Sequence, residues 1–389
     1  MKWERVELGT LVEKVKKCLP EKETPNTNIK YVDISSIDRI SKSVDRHSIQ
    51  SILGTEAPSR ARQVLKPDDI LVSTVRPNLN AVAAIPDSLD GSIGSTGFSV
   101  LRPLHGKLLS KYLLYFVQSE YFINQLMQRA TGASYPAVSD KIVKETQIPL
   151  PPLSEQRRLA ARLDKADAVR QKSRALVDAY AELGRSVFLE VFGDPVRNER
   201  GWEVVELGEI SEVVTGNTPP RSNKEYYGDF IEWVKTDNIN TPHMYLTAAK
   251  EFLSSKGATK GRIASKNSIL VTCIAGSPQV IGNAAIASRD VAFNQQINAM
   301  TAIQGNTAFF YYQLLVSKQL IQSFSTNSMK GMISKSKFKK IPLINPPLPL
   351  QTRFAAMVAN IEAQRRLAER QLEAAEAVFG GVLQGTFER

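Results

Sequence analysis

Four consecutive residues, Asn345-Pro346-Pro347-Leu348, come closest to a catalytic motif in this chain. Adenine methyltransferases use an Asn-Pro-Pro-aromatic sequence, in which the aromatic ring stacks on a flipped base. Here leucine replaces the aromatic residue, and no glycine-rich turn of the cofactor-binding type accompanies the motif. The residues 195 positions earlier, Leu150-Pro151-Pro152-Leu153, lack the asparagine as well. We therefore predict that this chain does not itself transfer methyl groups.

Other catalytic patterns are also incomplete. Pro67-Asp68-Asp69 precedes a strand-like run, but no Glu-x-Lys follows to complete a nuclease site. The sequence contains no Gly-Lys-Ser/Thr phosphate-binding loop. Its three histidines, His47, His105 and His243, do not have the spacing of metal ligands. The sequence therefore favours a binding protein that has no catalytic, metal-binding or cofactor-binding residues of its own.

The distribution of charge indicates the kind of partner. The net charge is +11 and the isoelectric point is near 9.5. Residues 291–361 include no Asp or Glu, and Glu120 is the single acidic residue in residues 91–139. Basic residues without balancing acids are typical of proteins that bind a nucleic acid backbone. A basic surface that only confers solubility is the alternative.

Side chains that could read DNA bases lie in the predicted loops. Arginine pairs with guanine edges in the major groove, and asparagine or glutamine pairs with adenine edges. Each of these residues could instead be a turn former. The candidate DNA-binding residues, including lysines that would contact phosphates, are Arg60, Arg62, Arg76, Asn78, Asn80, Lys235, Asn238, Ser277, Gln279, Lys330, Lys335, Lys337 and Lys339.

The sequence that must position these residues occurs twice. WERVELG at residues 3–9 returns as WEVVELG at residues 202–208, and residues 151–192 are matched without a gap by residues 346–387. In the second match, the residues that meet an identical residue 195 positions later include Pro151, Pro152, Leu153, Gln156, Arg158, Ala160, Ala161, Arg170 and Val187. The repeat predicts two successive copies of one module, each a body of about 150 residues followed by a long helix.

Heptad spacing of apolar residues predicts the two long helices. Leu159, Ala166, Tyr180 and Val187 form one row in the first copy, and Val169, Leu176 and Leu183 lie beside it. Each helix would be on the order of 55 Å long. Because a stripe of that length must be covered, we predict that the two helices form an antiparallel, coiled-coil-like pair that separates two bodies. Two independent core helices are the alternative.

The fold class that follows is α+β. We predict two pseudo-twofold-related α/β bodies separated by the two helices, because strands and helices mix without a regular βαβ rhythm. The expected divisions are residues 1–150, 151–195, 196–345 and 346–389. Strands are expected near residues 31–35, 70–75, 98–101, 232–235, 268–274 and 297–302, and single helices near residues 111–129 and 307–324.

Composition indicates the compartment. The longest apolar run, residues 309–316, is broken only by Gln313 and is too short to cross a bilayer. The first residues have no apolar signal-peptide core. With only two cysteines, Cys18 and Cys273, a disulfide framework is not expected. We predict a cytoplasmic protein.

These motifs together resemble the specificity subunit of type I restriction–modification enzymes. The resemblance covers essentially the whole chain and is carried by IPLPPLSEQ at residues 148–156, the long helix that follows it, the WEVVELG restart and the repetition of all three. The second copy departs mildly, because INPPLPLQ lacks the Ser-Glu pair at Pro349 and Leu350.

The resemblance implies a non-catalytic DNA-binding subunit. Each body would be a target recognition domain for one half of a bipartite double-stranded DNA site, and the helices would be the spacer between them. Two modification subunits would bind the helices and supply S-adenosylmethionine and adenine methylation. Restriction subunits would add ATP- and Mg-dependent translocation and cleavage. The alternatives are a free-standing regulator of a split operator and a divergent methyltransferase centred on Asn345.

Overall fold

A computed structural model of the chain describes residues 3–132, 134–326 and 331–388. It divides into a first unit, Met1–Arg174 with Arg370–Arg389, and a second unit, Ala175–Glu369. Among the described residues, no helix combines the length and the apolar character that crossing a membrane requires.

The first unit contains two four-stranded sheets. Its strands are β1 (Arg5–Glu7), β2 (Val12–Glu13), β3 (Asn28–Val32), β4 (Ile37–Asp38), β5 (Ser43–Val44), β6 (Gln50–Leu53), β7 (Ala61–Val64), β8 (Ile70–Ser73), β9 (Val82–Ala84), β10 (Ile93–Ser95), β11 (Phe98–Pro103) and β12 (Gln147–Pro149). The sheet orders are β6-β3-β10-β7 and β2-β11-β8-β9. Only β3 and β10 pair in parallel within these two sheets of the described chain.

Helices cover the second of these sheets. The single-turn helix α1 (Pro20–Glu23) lies elsewhere, against the 3-10 turn Gly54–Glu56. The covering helices are α2 (Ser110–Gln118), α3 (Glu120–Met127), α4 (Asp140–Lys144) and the first part of the long helix α5 (Leu153–Phe192). Tyr112 and Phe116 of α2 are fully buried with Ile70 and Val72 of β8. The β-branched run that predicted β8 is therefore a central strand with both faces covered.

The second unit repeats this arrangement. Its strands are β13 (Val204–Glu206), β14 (Glu212–Thr215), β15 (Tyr227–Val234), β16 (Phe252–Leu253), β17 (Ile263–Ala264), β18 (Ile269–Thr272), β19 (Ile274–Ala275), β20 (Ala284–Ile286), β21 (Val291–Phe293), β22 (Ile297–Thr301), β23 (Gly331–Met332) and β24 (Pro342–Ile344). Its helices are α6 (Leu207–Ile210), α7 (Ser255–Ala258), α8 (Thr307–Val316), α9 (Lys318–Ser323), α10 (Lys335–Lys339) and part of the long helix α11 (Leu348–Phe387).

The two units share one strand order. In the second unit the sheets run β16-β15-β21-β17 and β14-β22-β18-β20, which matches the first unit strand for strand. The parallel pair also recurs, as β15 with β21. The α+β class and the duplication predicted from the sequence are confirmed, and each of the predicted strands is present within a few residues.

The two single helices expected after these sheets are each divided into two, so that prediction was wrong. In the first unit α2 ends at Ser119, whose hydroxyl accepts a hydrogen bond from Phe122 N and caps α3. In the second unit α8 and α9 meet at Ser317. The Ser119 side chain satisfies a free backbone N–H at the start of α3, which favours a break that apolar periodicity alone does not show. Ser317 forms no such side-chain cap.

The long helices pack together inside each unit. In the first unit Arg170 of α5 lies 4.4 Å from the ring centroid of Phe379 of α11, and Arg174 pairs with Glu376. A later residue of α5 contacts an earlier residue of α11, so the two segments are antiparallel there. In the second unit Phe188 of α5 contacts Phe354 of α11. The helices are therefore not independent core helices.

Three residues of the predicted apolar stripe do not lie on the covered face. Val169, Leu176 and Leu183 are exposed, although they share heptad spacing with the buried positions. Their place on the stripe was a wrong prediction. Spacing of seven residues identifies a row on a helix, but several rows can share it, and only tertiary packing decides which row is buried.

The glutamine of the repeated Pro-Pro-Leu-x-x-Gln motif fixes the start of each long helix. Gln156 is fully buried, accepts a hydrogen bond from Leu109 N at 2.8 Å and donates to the carbonyl oxygens of Lys107 and Pro151 at 2.9 Å. Gln351 likewise accepts from Asn306 N at 2.9 Å and donates to Pro346 O at 2.8 Å. The missing Ser-Glu pair in the second copy therefore leaves this helix start intact.

Candidate nucleic-acid interface

Each unit presents a loop between the same two strands of its central sheet. The first loop, residues 74–81, joins β8 to β9, and the second loop, residues 273–283, joins β18 to β20. Both contain one 3-10 turn that starts at a proline, Pro77–Leu79 in the first and Pro278–Val280 in the second. Apart from this proline the two turns differ, with Asn78-Leu79 in the first and Gln279-Val280 in the second. Equivalent positions with unlike side chains suit two readers of different targets.

The backbone of the first loop is held in an unusual conformation. Arg76 and Asn80 both have left-handed φ angles, 50° and 46°. Asparagine tolerates this region, whereas an arginine there costs on the order of 1 kcal/mol or more. Arg76 N donates to Pro136 O at 2.7 Å, and Val138 N donates to Thr74 O at 2.9 Å. These bonds join the loop to the segment before α4 and maintain the strained conformation.

The candidate residues of the first loop have three different environments. Arg76 lies with its guanidinium carbon 4.2 Å from the ring centroid of Tyr135. Asn78 is exposed. Asn80 is buried, and its amide nitrogen donates to Val117 O at 3.3 Å and Gln118 O at 3.2 Å. Asn80 therefore anchors the loop to the end of α2.

Lys42 forms a hydrogen bond with the backbone of the first loop. This lysine, on the turn between β4 and β5, donates from Nζ to Asn80 O at 2.6 Å. Burial lowers the pKa of Lys42 to about 8, and repulsion by Arg170 and Arg39 adds to the effect. Keeping this partly buried lysine charged beside the loop therefore costs free energy.

The second loop is anchored from outside. Gln322 of α9 donates to the carbonyl oxygens of Pro278 and Ile281, both at 3.1 Å. β19 within the loop pairs with β23, so Ile274 faces Met332. Ser277 and Gln279, the two candidates here, are exposed at the tip. Both side chains are open to solvent.

Cys273 at the start of the second loop is not a reactive thiol. The side chain is buried and unpaired with the other cysteine. Complete burial raises its pKa to about 12, so the thiolate that would react is suppressed near neutral pH.

Lys235 and Asn238 follow β15, which belongs to the other sheet of the second unit. Many of their hydrogen-bonding groups already have partners within the protein. Lys235 pairs with Glu251 and lies 5.2 Å from the ring centroid of Trp233. The hydrogen bond from Lys235 lowers the pKa of Glu251. Asn238 is buried and donates to Ala248 O at 2.9 Å.

The first unit shows a similar division at Arg60 and Arg62. Arg60 is exposed at the turn before β7. Arg62, on β7, forms an ion pair with Glu21 at 2.8 Å. Both belong to the sheet that does not carry the first loop, so the structure does not group them with Arg76 in one loop.

The lysines near the second loop form a compact exposed group. Lys335, Lys337 and Lys339 are all exposed on α10, and none of them forms an ion pair with another described residue. Ser334 caps this helix by accepting from Lys337 N, and buried Phe338 fixes it to the core. Lys330 lies outside the described residues. The helix follows β23 directly, so these charges lie next in the chain to the strand that pairs with the second loop.

Asn345, the closest approach to a catalytic motif, supports the start of α11. Its amide oxygen accepts from Gln351 Nε2 at 3.2 Å, and its N–H donates to Glu203 O at 2.8 Å. Within the part of the chain that the structure describes, no cluster of three or more His, Cys, Asp or Glu residues could hold a metal ion.

Comparison with known proteins identifies the family. The family model described as "Type I restriction modification DNA specificity domain" matches residues 1–176 and matches again at residues 199–377. The chain belongs to this specificity family. The double match coincides with the two units found in the fold and with the two loops built on equivalent strands.

Individual relatives extend over nearly the whole chain. The specificity subunit of the type I restriction enzyme HindI from Haemophilus influenzae is 24% identical, over 92% of this chain and 93% of that protein. A chain from a solved structure concerned with complex assembly and conformational transition of the type I R-M system is 27% identical, with a TM-score of 0.57, 98% of this chain and 97% of that chain covered. The S subunit from M. genitalium shares the fold at 15% identity, with a TM-score of 0.54 over 100% of this chain and 96% of its own.

Sequence reasoning missed two residues at the first loop of this specificity protein. Tyr135 is 67% exposed and its ring contacts the Arg76 guanidinium, and Lys42 donates a hydrogen bond to the loop backbone. A signal for Tyr135 existed, because it lies in the nearly acid-free residues 91–139. Lys42 had no such signal, since its contact with Asn80 joins residues 38 positions apart.

Proposed function

We propose that this chain selects the DNA sequence in a type I restriction–modification complex. Each unit reads one half of a two-part target, and the long helices set the gap between the halves. The observation that carries this proposal is the repeated strand order, which puts a loop between equivalent strands of each unit. A reader with a repeated structure is expected to recognise paired half-sites at a set spacing.

The two half-sites should differ in sequence. The first loop offers Arg76 and Asn78, whereas the second loop offers Ser277 and Gln279 at its exposed tip. Arginine, asparagine and glutamine pair with different base edges in the major groove. Unlike side chains on like frameworks therefore support an asymmetric target.

The chemistry belongs to partner subunits in this proposal. Two modification subunits dock on α5 and α11 and bring S-adenosylmethionine for adenine methylation, and restriction subunits bring ATP- and Mg-dependent cleavage. The exposed apolar residues Val169, Leu176 and Leu183 and the charged positions between them support a partner-binding role for α5. The complex acts on DNA in the cytoplasm.

Binding by the intact complex tests the proposal. The chain is purified from its native cells with the subunits that accompany it, and methylated adenines in the same genome define the target. Affinity is then measured for a target duplex and a scrambled duplex across a salt series, because phosphate contacts alone give salt dependence without preference. A preference of about 1,000-fold or more is expected.

Two results would contradict it. Equal affinity for both duplexes at every salt concentration would remove the specificity function. Recovery of the chain without any methyltransferase, together with specific binding, would favour a free-standing regulator of a split operator instead.

A further inference from the structure

We infer that Arg76, stacked on Tyr135, is a preformed reader of one guanine in the half-site of the first unit. This inference deepens the proposed function and rests on it. The stacked pair is the feature of the first loop that has no equivalent in the second loop, where Gly276, Ser277 and Gln279 occupy the corresponding turn.

The arginine is stacked but otherwise free. Its guanidinium carbon is 4.2 Å from the Tyr135 ring centroid, and no hydrogen bond or ion pair joins its guanidinium nitrogens to another described residue. Arg5 and Arg221 also lie over aromatic rings, but their guanidinium groups have protein partners. Arg5 donates to the Tyr121 hydroxyl, and Arg221 pairs with Glu251 at 3.0 Å. Arg76 therefore keeps all its donors for an external acceptor.

The backbone holds the stack in place. Arg76 N donates to Pro136 O, the residue after Tyr135, and Val75 pairs with Ala137 in an isolated bridge. Gly132 has a φ of 92°, and a Cβ there would lie 2.7 Å from Tyr135 O, so this position requires glycine. Two side chains 59 positions apart in sequence are thus held in contact before any ligand binds. Such preorganisation lowers the entropic cost of binding.

The exposed ring fits a role in recognition. Tyr135 is 67% exposed, which is unusual for an aromatic side chain that only fills space. Stacking on one face of the guanidinium sets its plane and leaves the N–H donors along its edge uncovered. A phosphate accepts hydrogen bonds from an arginine in many orientations and has no need of that fixed plane.

Guanine is the base that matches this donor edge. Its O6 and N7 are neighbouring acceptors in the major groove, and arginine binds both at once. Adenine presents an amino donor in place of O6, so the same arginine would oppose a donor with a donor. The expected discrimination for one such pair is about 10- to 100-fold in affinity.

Base analogues in the target duplex provide the test. Each guanine of the methylation-defined target is replaced in turn by 7-deazaguanine, which lacks the N7 acceptor, or by hypoxanthine, which retains both N7 and O6. Binding is measured with the wild-type complex and with complexes that carry Arg76→Ala, Tyr135→Leu or Tyr135→Phe. Because Tyr135 is exposed, its variants are expected to fold, and thermal unfolding confirms this.

One guanine should respond in a diagnostic way. In the wild type its 7-deaza replacement lowers affinity about 10-fold or more, while hypoxanthine has little effect. Arg76→Ala abolishes that sensitivity, Tyr135→Leu reduces it, and Tyr135→Phe retains it because the ring remains. Sensitivity at guanines read by the second unit is unchanged.

Other outcomes overturn the inference. If Arg76→Ala lowers affinity for target and scrambled duplexes equally, Arg76 contacts a phosphate. If Tyr135→Leu leaves the 7-deaza sensitivity at its wild-type value, the stack does not position the arginine. A wild-type complex with no preference for its target would instead contradict the proposed function itself.

Discussion

The two loops occupy equivalent places in their units, but different residues anchor them. In the first loop the anchor is Asn80 of the loop itself, which donates to carbonyl oxygens at the end of α2. In the second loop the anchor is Gln322 of α9, which donates to carbonyl oxygens of the loop. The shared requirement is a fixed base, and different residues meet it. Loop tips can therefore change without loss of the framework.

The short helices α4 and α10 of the two units also differ, in whether their lysines have acidic neighbours. α4 and α10 are both capped by a serine, Ser139 and Ser334. On α4 each lysine has an acidic neighbour, Lys144 with Asp140 at 2.8 Å and Lys141 with Glu145 at 3.7 Å. On α10 the lysines have none among the described residues. Among the described residues, α10 of the second unit therefore carries more uncompensated positive charge than α4 of the first unit.

Exchange of one whole body should have the largest effect on this comparison. Residues 201–345 are replaced by the corresponding body of a relative with another target. The second half-site should change completely, with a loss of about 1,000-fold or more in preference for the original target, while the first half-site stays the same. Mapping methylated adenines in cells measures both halves at once. A change in both halves would show that the units do not read independently.

The two buried glutamines should be equally important to stability if the units are equivalent. Gln156→Leu leaves the Leu109 N–H and two carbonyl oxygens without partners, so we expect a loss of about 2–4 kcal/mol in the free energy of unfolding. Gln351→Leu should cost a similar amount. Urea unfolding followed by circular dichroism measures both losses.

An exposed neighbour provides the control for the glutamine variants. Arg157→Gln, one residue after Gln156 and exposed, should change the free energy of unfolding by less than about 0.5 kcal/mol. A large loss from Gln156→Leu beside a negligible loss from Gln351→Leu would show that the repeated motif has different roles in its two copies.

Removal of charge should separate α10 from α4. We expect that alanine at Lys335, Lys337 and Lys339 lowers affinity for target and scrambled DNA alike and reduces the salt slope by up to about 2.7, because each phosphate contact contributes about 0.9. Filter binding from low to high salt measures this slope. The matched control is alanine at Lys141 and Lys144, whose charges are already paired, and it should change the slope less. Equal effects would contradict the contrast between the units.

The sequence was sufficient to predict the repeated framework. Ile70–Val72 and Ile269–Val271 identified the central strands, and the ungapped match of residues 151–192 with residues 346–387 identified the long helices. These features rest on local periodicity, which a single sequence displays directly. Their recurrence in each half strengthened the prediction, because two copies must satisfy the same packing.

The contacts that shape the first loop could not be predicted in this way. Arg76 meets Tyr135, Asn80 meets Val117 and Lys42 meets Asn80, all through tertiary packing between residues distant in sequence. Loop candidates could be chosen by residue type alone, so buried Asn80 and exposed Asn78 were not distinguishable. Whether Asn78 and the other candidates contact DNA stays a prediction.

Substitution of Lys42 should have the smallest effect, a change in the pH dependence of the free energy of unfolding that is specific to the first loop. Its pKa in the folded protein is lowered to about 8 from an ordinary 10.5. Between these values the unfolded chain binds more protons than the folded one, so the contribution of Lys42 to the free energy of unfolding increases as pH rises. The difference between wild type and Lys42→Met should therefore increase from pH 8 to 10.5 and stay level below pH 7. Lys42→Arg, which remains charged throughout, should lack the increase. A level difference across the alkaline range would mean that burial imposes no cost on the charged Lys42 side chain, and this contrast between the first loop and the second would be lost.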